Sequence, residues 1–141
     1  MIKRLISGAA LIAYGCLIIN ITVFSRTENS EQRHNFNPFW SYEAIQEGWD
    51  NLVRDNVLNV LLFVPLGLLL CGTFQRIKWY QVLVVGMVLS IVIETLQYKM
   101  KRGFSEFDDV FHNVIGCLVG LVVYKAVNYF FAKRRNKNLA Y

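Results

Sequence analysis

Charge is scarce in this chain: 18% of its 141 residues are Asp, Glu, Lys or Arg, against 55% hydrophobic. That shortage excludes the usage of an ordinary soluble domain and points to the membrane class. Cysteine is equally sparse. Cys16, Cys71 and Cys117 are odd in number and each lies within an apolar run, so they show neither a disulfide framework nor metal-binding spacing. Packing is the role left to them. No internal repeat is visible, which speaks against half of a repeat-built transporter. No serine or cysteine stands in an arrangement for nucleophilic catalysis. The length leaves room for one domain, 1–141.

What the chain does have is long apolar stretches. Four of them, at about 5–24, 57–74, 80–97 and 110–131, approach the roughly 20 residues a helix needs to cross about 30 Å of hydrocarbon. The first follows Lys3 and Arg4, as a signal peptide would. Its apolar core exceeds the usual ~7–15 residues and no small-x-small site follows, so a retained helix is expected. Between the first two runs, Phe36, Phe39, Trp40 and Tyr42 suit a membrane–water interface. Tyr42, Ile45, Trp49 and Leu52 or Val53 then recur at helical spacing, with Ser41 as the expected cap. The expected fold is all-α: a four-helix transmembrane bundle with a short interfacial amphipathic helix between the first and second spans. The polar stretch from Phe24 to Asn35 is expected to be an exposed loop.

The formal charge of +5 suggests nucleic acid, but its distribution does not. With four crossings, Lys3, Arg4, Arg76, Lys78, Lys133, Arg134, Arg135 and Lys137 share one side with no acid. All ten acids fall at the other side. The positive-inside rule then places both termini in the cytoplasm. The basic tail serves as a topology anchor that attracts anionic lipid rather than nucleic acid.

Polar groups gather near the other ends of the spans. Glu94 and Gln97 lie three apart on one face of the third span. Asp109, Asn113, Gly116 and Gly120 form a stripe on the fourth, whose glycines permit close helix approach. Asn59 and Asn113 each lie about one turn, ~5–6 Å, inside their helices, at a depth similar to Glu94. Ionisable groups inside a membrane cost at least ~2.5–3.5 kcal/mol at its centre unless paired or wet. The expectation is therefore a shared cluster of Asn59, Glu94, Gln97, Asn113 and His112 beneath the Lys99–Asp109 loop.

The motifs in order are Phe24-Ser-Arg26, Asn35-Phe-Asn-Pro-Phe39, Asn59-Val-Leu-Leu-Phe63-Val-Pro65-Leu-Gly67, Glu94-Thr-Leu-Gln97, and Arg102-Gly-Phe-Ser-Glu106-Phe-Asp-Asp109-Val-Phe-His-Asn113-Val-Ile-Gly116. Together they resemble the VanZ family of small bacterial membrane proteins. The last block is the most specific. The resemblance implies a multi-pass helical protein of the bacterial cell membrane, in a family whose founding member is associated with low-level resistance to the glycopeptide teicoplanin.

Two functional classes follow. A binding protein would use Asn59, Glu94, Gln97, Arg102, Glu106, Asp108, Asp109 and Asn113 to hold or shield a membrane lipid, a lipid-linked cell-wall precursor or a glycopeptide. Arg26, Arg54, Lys99, Lys101 and Arg102 would meet phosphates. A membrane enzyme would use Glu94, Asp109 and His112 for acid–base work, or set Glu106, Asp108, Asp109 and His112 around a metal against a lipid phosphate. The spacing matches no metal motif and no cofactor is expected, so the reading leans to binding.

Overall fold

The structure, a computed structural model, describes residues 2–138. The side chains of Lys3, Arg4 and Lys137, counted in the charge bias, lie outside the described residues. The chain order is α1 (Ile2–Ile19) with a widened π turn (Asn20–Phe24), β1 (His34–Asn35), α2 (Trp40–Gln46), α3 (Asn51–Thr73), α4 (Trp79–Met100), β2 (Ser105–Glu106) and α5 (Phe107–Asn138). Among the described residues four helices are long and apolar enough to span a membrane: Leu5–Phe24, Asn51–Thr73, Trp79–Met100 and Phe107–Arg135. Their outward surfaces carry Ile12, Leu61, Val88, Val122 and Phe130 exposed, as a lipid-facing surface would.

Gly116, Gly120, Cys71 and Cys117 pack as predicted, whereas Cys16 is exposed on the outside of α1. α3 and α5 run parallel and cross with backbone against backbone. A Cβ on Gly116 would collide with the Val60 carbonyl and lie 2.8 Å from Phe63 Cβ. Gly67 meets the Cys117 backbone in the same way from the opposite helix. α4 packs antiparallel on α5, and α1 antiparallel on α3, where the Tyr14 hydroxyl donates to the Leu62 carbonyl at 2.8 Å. Ile18, Phe63, Val82, Ile93, Cys71 and Cys117 fill the centre.

The helices extend beyond their apolar runs. α3 begins at Asn51 rather than Val57, and α5 at Phe107 rather than Val110. Hydropathy marks the hydrocarbon layer, and hydrogen bonding carries a helix past it.

The interfacial helix is shorter than the periodicity predicts. Gly48, at φ 99°, ends the turn after α2, and Trp49 N–H bonds back to the Ala44 carbonyl at 3.1 Å. Leu52 and Val53 therefore belong to α3. Ser41 does not cap α2 but lies inside it, fully buried; Phe39, left-handed at φ 63°, precedes the helix instead.

The segment after α1 is exposed as expected, and it is also paired. β1 pairs in parallel with β2, His34 opposite Ser105 and Asn35 opposite Glu106. Asn29 donates to the Gly103 carbonyl at 2.7 Å. These bonds tie the two connections together at the bundle end opposite the start of α1.

Candidate functional site

At this end the β2–α5 junction grips α2 through successive residues. Trp40 Nε1 donates to Glu106 Oε2 at 3.2 Å. Phe39 N–H donates to Asp108 Oδ1 at 2.6 Å, and Ser41 gives its N–H and its hydroxyl to Oδ2 at 2.9 and 2.6 Å. The Tyr42 hydroxyl meets His112 Nε2 at 2.8 Å. Asp108 thus satisfies the N-terminal amides of α2 from outside its own sequence neighbourhood, the service an N-cap normally performs locally.

Glu94 is buried and accepts the Glu106 N–H at 2.9 Å, while Ser105 Oγ donates to the Glu94 carbonyl at 3.1 Å. Asn59 donates to Asp109 Oδ1 at 2.5 Å, joining α3 to α5. Asn113 turns to α4 and donates to Ser90 Oγ at 2.8 Å. Gln97 donates to the Thr22 carbonyl at 2.9 Å, within the π turn that closes α1. A π turn breaks the regular ladder and leaves such carbonyls available.

The expected cluster is therefore not one network. Asn59, Glu94, Gln97, Asn113 and His112 each have a separate partner on a different element. Arg102 lies apart too, donating to the Phe24 carbonyl at 2.8 Å, and Lys101 reaches the Ser30 carbonyl at 3.3 Å. Among the described residues no three His, Cys, Asp or Glu side chains converge as metal ligands would. Asp108 and His112 are turned to Ser41 and Tyr42 instead.

What the fold does assemble is a cleft of about 720 Å³. Asn59, Glu106 and Asp109 line it, with Arg26 and Arg54 from the predicted cations. Arg33, Trp40, Trp49, Asn56 and Phe104 join them without having been singled out as site residues. Asn56 had a readable signal, lying three residues from Asn59 and so on its helix face. Arg33 had none, because only the pairing of β1 with β2 brings it here.

Arg26 is placed by Gly103, which is left-handed at φ 75° and has no side chain to obstruct it; a Cβ there would lie 2.7 Å from Arg26 Cδ. Arg33 lies over the Phe104 ring, 5.8 Å from its centroid. The Glu106 carboxyl is pushed up to about 8, chiefly by burial and then by the negative charge of Asp109; the Trp40 hydrogen bond opposes this. It is largely a neutral acid near pH 7.

Fold and site define a multi-pass helical membrane protein with a polar cleft at one end of the bundle. Residues 11–130 match the family model described as VanZ/LLP1, and the chain belongs to that family. It is similar to protein VanZ of Enterococcus faecium, 33% identical over 75 residues, 53% of this chain and 47% of the relative. The chain thus spans about half the length of that curated relative. No solved structure matches it.

Proposed function

We propose that this protein binds or shields an amphiphile at the membrane surface. Its cleft takes the polar part of a lipid, a lipid-linked cell-wall precursor or a glycopeptide-type antibiotic. The observation that carries the reading is the cleft, about 720 Å³, combining arginines, carboxyl groups and aromatic walls at the end of an apolar bundle. That volume lies within the ~300–1,000 Å³ of small-molecule sites. The charge bias along the sequence supports an extracytoplasmic cleft with both termini in the cytoplasm. Membership of the VanZ/LLP1 family supports a contribution to teicoplanin-type resistance.

Teicoplanin susceptibility of bacteria expressing the chain tests this. Wild type is expected to protect, and Asn59→Leu, which replaces a polar side chain of the cleft by an apolar one of the same size, is expected to protect less at equal membrane abundance. Full protection by Asn59→Leu contradicts the reading.

A second reading is an enzyme acting on a lipid-linked phosphate. It is favoured by one observation, that Glu106 and Asp109 share the cleft with arginines. Glu94, Asp109 and His112 are then its candidate acid–base groups, although His112 faces Tyr42. Phosphate release from a polyprenyl diphosphate, lost in Asp109→Asn, would support it.

A further inference from the structure

We infer that the cleft recognises a phosphate or diphosphate ester carried by a membrane lipid, held by the guanidinium groups of Arg26, Arg33 and Arg54. The inference rests on the binding reading above and names its ligand class.

Three arginines line one cleft, and Arg26 lies within electrostatic reach of Asp109 and Glu106 there. Among the described residues Arg26 and Arg33 form no salt bridge. Arg54 pairs with Asp55 at 3.3 Å, but their side chains are 75% and 48% exposed, so the pair is a weak surface contact. Arg26 is seated over Gly103 and Arg33 over the Phe104 ring, contacts that place their side chains without occupying the N–H donors. Their planar donor forks remain available, and such forks match phosphate oxygens two at a time.

Three carboxyl groups share the cleft, Asp55, Glu106 and Asp109, and each has a partner of its own, Arg54, Trp40 and Asn59. Asp109 accepts from Asn59, and Glu106, largely protonated near neutrality, donates a hydrogen bond to an anion rather than repelling it. The cleft is also larger than a lone phosphate needs, leaving space for a headgroup against Trp40 and Trp49.

The surroundings favour a lipid over a free anion. Asn56 lines both the cleft and a second cavity of about 410 Å³, walled by Val53, Val57, Val60 and Leu61. Val53, Val57 and Leu61 are exposed along α3. A phosphate in the cleft therefore has an apolar surface beside it for its hydrocarbon chain.

The test uses the full-length protein in detergent micelles, read by tryptophan fluorescence, since Trp40 and Trp49 line the cleft. The probes are a short polyprenyl monophosphate, dioctanoyl phosphatidic acid, the corresponding polyprenol and inorganic phosphate. At least one phosphate lipid is expected to bind about tenfold or more tightly than the polyprenol, with the preference lost in the Arg26→Gln/Arg33→Gln double variant. Lys133→Gln, at the far end of α5, is expected to bind as wild type does. Binding of neither phosphate lipid more tightly than the polyprenol overturns the inference, as does an unchanged preference in a folded double variant. Inorganic phosphate binding as tightly as the lipids overturns the lipid assignment. If arginine-dependent lipid binding is found and cells gain no teicoplanin protection, this inference stands and the resistance reading falls.

Discussion

Asp108 and Ser41 lie 67 positions apart in the chain and meet through two hydrogen bonds to one carboxylate oxygen, at 2.9 and 2.6 Å. Both residues are fully buried, at 0% exposure. A third bond from Phe39 N–H occupies the other oxygen. One side chain thus fixes the position of α2 over α3 and α5, and with it Trp40 in the cleft wall.

Removing that carboxylate leaves two amides and a hydroxyl without partners. Each unsatisfied buried group costs about 1–3 kcal/mol, so Asp108→Ala is expected to lose about 3 kcal/mol or more of stability. Asp108→Asn keeps acceptor capacity and should lose less. Thermal unfolding in detergent, followed by circular dichroism, checks both. Asp108→Ala with wild-type Tm would show that α2 is held by something else.

The crossing of α3 and α5 is set by glycines rather than by side-chain complementarity. Gly116→Val is expected to prevent stable folding, because the added atoms collide with backbone and not with a flexible side chain. Gly15→Ala is the contrasting case. Nothing lies within 4 Å of a Cβ at Gly15, and the change removes a helical glycine, so stability should be unchanged or higher by about 0.5–1 kcal/mol. Expression level and thermal stability read both.

Glu106 gives the fold a pH dependence whose sign follows from its surroundings. Its ordinary value is 4.5 and the folded value is about 8, so the folded chain holds the proton more strongly. The resulting stabilisation is fully present below about 4.5 and is lost as pH rises through about 8. Subtracting the Tm–pH profile of Glu106→Gln from that of wild type should reveal a component that falls over this interval. A flat or rising difference would contradict the burial of this group.

Arg102 and Arg33 are expected to separate structure from binding. Arg102 donates to the Phe24 carbonyl at the end of α1 and is absent from the cleft wall, so Arg102→Gln should lower stability by about 1 kcal/mol and leave lipid-phosphate affinity unchanged. Arg33→Gln should do the reverse. Paired thermal scans and binding titrations distinguish the two.

The spans were readable because a helix in hydrocarbon must be apolar over its whole crossing, which leaves a long signal in composition alone. That Asn59, Glu94 and Asn113 lie toward one end of the bundle followed from their places in the spans. Their partners did not, since depth says nothing of rotation about the helix axis. Asn113 thus points to Ser90 and Asn59 to Asp109, although one stripe on α5 carries both Asp109 and Asn113. Arg33 escaped notice for a different reason. Its place depends on a two-residue parallel pairing across 71 positions, and the pairing of His34 with Ser105 leaves no periodicity in so short a strand. Gly103 was visible only as part of a motif, while its left-handed φ and its closeness to Arg26 belong to the folded chain.

Which side of the membrane the cleft faces decides which lipids and drugs can reach it. In a background with Cys16, Cys71 and Cys117 replaced, single cysteines at Glu31, between the π turn and β1, and at Arg76, in the α3–α4 turn, can be tested in intact cells with a membrane-impermeant maleimide. Glu31→Cys is expected to label from outside, and Arg76→Cys only after the membrane is permeabilised. Labelling of Arg76→Cys in intact cells with protection of Glu31→Cys would place the cleft in the cytoplasm and contradict the account.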